Sequence, residues 1–83
     1  MSGTLADIVG LAGSALFIAA FLYNNIATAI DFRWFNAANL VGAVLLIESL
    51  TVHFNLAAMV LEVSWGLIAA FGLIKAIAGR RAA

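Results

Sequence analysis

Cysteine and proline are both absent from this 83-residue sequence, histidine occurs once, and only 10% of the residues are charged. Without cysteine there are no disulfides, no thiolate catalysis, no iron–sulfur cluster and no cysteine-ligated zinc, and nothing fixes the redox compartment. Without proline no helix carries a proline kink. Soluble domains carry about 25% charged residues, so a water-soluble fold of this size is excluded, and the bilayer is the expected solvent. Four basic and four acidic side chains cancel, which removes the electrostatic footprint of a nucleic-acid partner. What the chain does have is hydrocarbon: 66% of it is apolar and its mean hydropathy is +1.16. A crossing helix uses roughly 20 such residues, so three crossings are the ceiling and a fourth would leave nothing for connections.

The pattern along the chain predicts an all-α membrane protein, a bundle of three transmembrane helices forming a single domain. The first span covers about residues 5–24, opened by Thr4 and Asp7 as a capping pair and closed by Asn24 and Asn25. A cleavable signal peptide is not expected, because the leader lacks Lys and Arg and Asp7 sits where positive charge belongs. Ile26 to Asn36 mixes Asp31 and Arg33 with Trp34 and Phe35, a composition suited to the headgroup layer. The second span covers about residues 35–52. His53, Phe54 and Asn55 then form a tight turn, with Asn55 as N-cap of a third span over about residues 56–77 that Gly79 ends. Arg33 lies after span one, and Lys75, Arg80 and Arg81 lie at the end of span three, so all four basic residues fall at one end of the bundle. The positive-inside rule then predicts an outside N-terminus and a cytoplasmic C-terminus.

Small residues predict where helices touch: Gly10 and Ser14 in span one, Ala38 and Gly42 in span two, Ala58 and Gly66 in span three. Gly10, Ser14, Phe17, Phe21 and Asn24 follow one helical stripe, expected to face the other helices. The informative polar groups are Glu48 and Glu62. A carboxylate near the bilayer centre costs about 3 kcal/mol on insertion scales and is a functional hypothesis by default. At 1.5 Å per residue both acids lie about 6–7 Å to the outer side of the midplane, so if both face inward they could share a proton or clamp a cation. Asn39 lies nine residues before Glu48, on nearly the opposite face. The two therefore need different neighbours, and a homo-oligomer, a dimer in the simplest case, supplies them. Trp65 is either core packing or a cavity wall, Trp34 an interfacial anchor, and His53 a solvated turn residue. No catalytic constellation, metal-ligand spacing or phosphate loop is visible, so neither an enzyme nor a cofactor is expected.

Asn39-Leu40-Val41-Gly42-Ala43-Val44-Leu45-Leu46, followed after about 16 residues by Glu62-Val63-Ser64-Trp65 and Ile68-Ala69, resembles a family of short uncharacterised bacterial three-helix membrane proteins. Its members often read Asn-x-x-Trp where this chain has Glu62 to Trp65. The resemblance implies a bacterial inner membrane location and no assigned activity. More loosely, the chain is similar to the SemiSWEET sugar transporters, three-helix PQ-loop proteins that dimerise around a central path. Gly10 to Asn24 aligns with their first helix, and Gly42 to Glu62 with their second and third. Tyr23 and Asn24 replace their Pro-Gln pair, Leu46 their binding tryptophan and Glu62 their binding asparagine, so the resemblance implies the scaffold alone.

Together these readings predict a transporter-like membrane protein with a polar site for a proton, cation or small polar solute. Glu62, Glu48, Asn39, Trp65, Ser14 and Asn24 are its candidate residues. The alternative is a structural or accessory subunit of a homo-oligomer or a larger membrane complex.

Overall fold

The computed structural model describes the backbone of residues 1–82 and the side chains of residues 1–79. Its regular structure is three helices, α1 (Gly3–Ile26), α2 (Phe32–Leu50) and α3 (Leu56–Ala82). Each begins where a polar side chain can take up free amides. Ser2 Oγ accepts from Leu5 N at 3.1 Å, Asp31 Oδ1 from Arg33 N at 3.1 Å, and Asn55 Oδ1 from Ala58 N at 2.9 Å.

Asn55 thus caps α3 as the sequence predicts, but three other boundary expectations need correction. Ser2 rather than the Thr4 and Asp7 pair caps α1, because it is the last extended residue and its hydroxyl is in reach. Arg33 to Asn36, expected in a headgroup-layer connection, are already helical, because Asp31 starts α2 early. Gly79 does not stop α3, which runs on to Ala82. A glycine ends a helix by adopting positive φ, and among the described residues no glycine does so.

The bundle measures 45 × 23 × 20 Å. Helix α2 lies in the middle and packs on both neighbours, whereas no Cα of α1 comes within 8 Å of one in α3. The interior is built from small residues. Ala6, Ala20, Ala43 and Ala69 form the buried apolar core, and among the described residues no large side chain is fully buried. The large apolar side chains point outward, with Leu11 at 70%, Phe21 at 71% and Phe71 at 68% exposure. Of the three spans expected, α1 and α3 are long and apolar enough to cross a membrane. Helix α2 does not join them on composition: its 19 residues, a length within the roughly 17–25 of crossing helices, include Arg33, Asn36, Asn39 and Glu48.

Candidate functional site

One helix carries two seams of opposite character. Toward α1, α2 presents Gly42, and the backbones come so close that a Cβ on Gly13 would lie 2.8 Å from the Gly42 carbonyl oxygen. A Cβ on Gly42 would in turn meet the Phe17 ring at 2.7 Å, and one on Gly10 would meet Ser49 Oγ at 2.7 Å. The buried stripe of α1 is therefore Ala6, Gly10, Gly13 and Ala20. Of the predicted stripe, Gly10 belongs to it and Phe17 also faces the other helices, lying against Gly42 and Trp65. Ser14 is half-buried, while Phe21 and Asn24 are exposed, because Gly13 permits the closer approach and rotates α1 toward itself.

Toward α3, the seam is polar. Asn39 is 6% exposed; its Nδ2 donates to Phe35 O at 2.9 Å, and its Oδ1 accepts from Trp65 Nε1 at 3.1 Å. The Trp65 ring continues across to Phe17, centroid to centroid 6.0 Å, the one aromatic bridge joining α3 to α1 among the described residues. Further along, a Cβ on Gly72 would fall 2.5 Å from Asn36 Oδ1, so glycine is what lets that amide lie against α3. Beside Asn39 and Trp65 is a hollow of about 190 Å³, also lined by Phe35, Asn36, Ile68 and Ala69.

Glu62 lies one turn before Gly66, whose own added Cβ would approach Ala43 Cβ at 3.3 Å. It is 7% exposed, and its Oε2 is shielded from solvent with no hydrogen-bond partner. Such an oxygen is costly, about 1–3 kcal/mol when it stays unpaired. Glu48 is exposed, so the two carboxylates expected at one level present themselves differently. The nine-residue spacing from buried Asn39 to exposed Glu48 does place them on different faces. Of the six predicted site residues, Asn39 and Trp65 are joined directly, and Glu62 lies on the helix of Trp65, three residues before it. Ser14 is half-buried on α1, and Asn24 and Glu48 face outward.

Two features of the bundle ends are not apparent from residue spacing alone. At one end His53 is exposed but tethered: its Nε2 is 3.1 Å from Asp7 Oδ1 and 3.2 Å from Gly3 O, which ties the α2–α3 turn to the start of α1. At the other end Asp31 N donates to Tyr23 Oη at 2.8 Å, and the Tyr23 and Trp34 rings meet at 4.8 Å, tilted by 60°. An open cleft of about 860 Å³ lies there, walled by the α1–α2 connection, the start of α2 and the last turns of α3. The signals were present in Tyr23, Asp31 and Trp34, but only the hairpin geometry brings them together. No cluster of three or more potential metal-ligating side chains occurs among the described residues.

A central helix clamped by a glycine seam on one side and a polar seam on the other defines a small all-α, three-helix bundle protein. Residues 6–81 match the model of an uncharacterised protein family, and the chain belongs to that family. No curated protein and no solved structure matches it, so the SemiSWEET resemblance finds no support.

Proposed function

We propose that this is a small integral membrane protein of the bacterial inner membrane. In this reading it is transporter-like and self-associates as a dimer, with Glu62 as a polar site for a proton, cation or small polar solute. The membrane assignment rests on the inversion of packing: alanine and glycine fill the interior while leucine, isoleucine and phenylalanine face out. In water that arrangement would leave the main apolar area unburied; in lipid, close backbone approach replaces the hydrophobic drive. The 45 Å length suits a bilayer of about 40–45 Å including headgroups. With α2 taken as the second crossing, the four basic residues, gathered at one end by the sequence, support an N-terminus outside and a C-terminus in the cytoplasm. Glu48, exposed with Val41 and Val44 on one face of α2, is the group that a second copy would cover.

The observation that carries the site is the unpartnered Oε2 of Glu62. An acidic oxygen closed off among helices is satisfied by a proton or a cation, and intramembrane carboxyls mark such pathways. A second reading, a non-transporting structural or accessory subunit, is favoured by one fact: neither the 860 Å³ cleft nor the 190 Å³ hollow has Glu62 among its lining residues. Reconstitution into vesicles separates the two. Glu62→Gln should abolish pH-dependent flux while leaving folding and crosslinked dimer intact. Unaltered flux, or none in the parent protein, supports the structural reading. Cysteines placed at Ser2 and Gly79 in the same vesicles should label from opposite sides.

A further inference from the structure

We infer that the cleft at the α1–α2 connection is a binding site for the phosphate headgroup of an anionic membrane lipid. The inference rests on the membrane reading above but not on the role of Glu62. Three observations carry it. First, the volume, about 860 Å³, falls within the roughly 300–1,000 Å³ of small-ligand sites. Second, the charged lining residues are Arg33, Lys75 and Asp31, two cations against one carboxylate. Arg33 Nε is 3.7 Å from Asp31 Oδ1, and that same oxygen already accepts from Arg33 N. The Arg33 guanidinium thus lies beside the Asp31 carboxylate, while Lys75 forms no ion pair among the described residues. Third, the neutral polar groups are arranged as donors. Tyr23 Oη accepts from Asp31 N, so its own O–H remains to donate. Asn36 has spent one amide hydrogen on Phe32 O at 2.8 Å and keeps the other.

The remaining walls are apolar, from the α1–α2 connection, Phe32 and the last turns of α3. A cleft with cationic and donor groups among apolar walls fits an amphiphile better than a free ion. Its position between helices at the basic end is where anionic headgroups are held in other membrane proteins.

Trp34, whose ring lies 4.8 Å from that of Tyr23, is a reporter beside the cleft. In a Trp65→Phe background, the full chain is reconstituted into phosphatidylcholine vesicles in which brominated phosphatidylglycerol or brominated phosphatidylcholine is the quencher at equal mole fraction. Brominated phosphatidylglycerol should quench Trp34 more strongly. Lys75→Gln and Arg33→Gln should each lower the preference about fivefold. Lys75→Gln keeps the test clear of misfolding, because that side chain is exposed. Equal quenching by the two lipids, or a preference unchanged in both variants, overturns the proposal. Inorganic phosphate at matched ionic strength should leave the preference in place; if it abolishes the preference where chloride does not, the cleft serves the free anion and the lipid assignment falls. Carbonate extraction separates the two levels of inference: release of the protein defeats the membrane reading itself, whereas retention without lipid preference defeats only the cleft assignment.

Discussion

The two seams of α2 achieve helix contact by different physical means. Against α1, contact is a matter of shape: Gly10, Gly13 and Gly42 remove side chains so that backbone lies close to backbone and to the Phe17 ring. Against α3, contact is a matter of polar pairing, with Asn36 over Gly72 and Asn39 bonded to Trp65. The glycine seam has no slack and nothing chemical to offer. The polar seam has a hollow, a hydrogen bond that could be exchanged and an unpartnered carboxyl oxygen, so function and adjustability are expected there.

The largest expected effect tests the shape argument. Gly13→Ala places a methyl 2.8 Å from the Gly42 carbonyl oxygen, backbone that cannot swing aside. Overpacking of this kind costs about 1–3 kcal/mol, against a helix-propensity gain of up to about 1 kcal/mol, so thermal unfolding in detergent should show net destabilisation of about 1–2 kcal/mol. Gly66→Ala, 3.3 Å from the Ala43 methyl, should be near neutral because a small shift suffices. Equal costs at the two positions would erase the contrast between the seams.

A smaller effect is expected from the polar pair. Asn39→Leu and Trp65→Phe each break the 3.1 Å bond, and a double-mutant cycle should return a coupling of about 0.6 kcal/mol, the average for interhelical hydrogen bonds in a membrane. Strict additivity in the unfolding free energies would show that the two side chains stabilise the bundle by packing alone.

The smallest effect lies outside both seams. Asp7 and His53 are close, but both are largely exposed, and exposed pairs contribute about 0–1 kcal/mol. Asp7→Asn should therefore shift unfolding by no more than about 0.5 kcal/mol, with any shift diminished by salt. A loss comparable to that at Gly13 would make this end tether, rather than the seams, the principal restraint on α1.

The contrast between the seams was only partly legible in the sequence. Gly10, Gly42 and Gly66 announce close contact by their lack of side chains, and Asn39 and Glu48 separate by helical arithmetic. Gly13 was hidden behind Ser14, its neighbour about 100° around the helix, and a shift of one residue is enough to turn Phe21 and Asn24 from the interior to the surface. Gly79 looked like a stop because its residue type permits positive φ, but nothing in the tertiary structure asks for it. Glu62 stood out in the sequence as an acid in an apolar run. That its Oε2 is left unpaired, and that Glu48 turns outward, depends on the mutual rotation of helices.

What the sequence determined by itself is the number of helices, their apolar character, the turn capped by Asn55 and the gathering of basic residues at one end. Composition, caps and charge are local properties, and local physics is sufficient to read them. What only the tertiary structure decided is the central position of α2, the Gly13–Gly42 contact, the Asn39–Trp65 bond, the His53–Asp7 tether and the cleft beside Tyr23 and Trp34. Each depends on the rotation of one helix about its axis relative to another. In a chain whose apolar residues are spread around every helix, no strong hydrophobic stripe fixes that rotation, so it is set by which small residues allow backbones to meet.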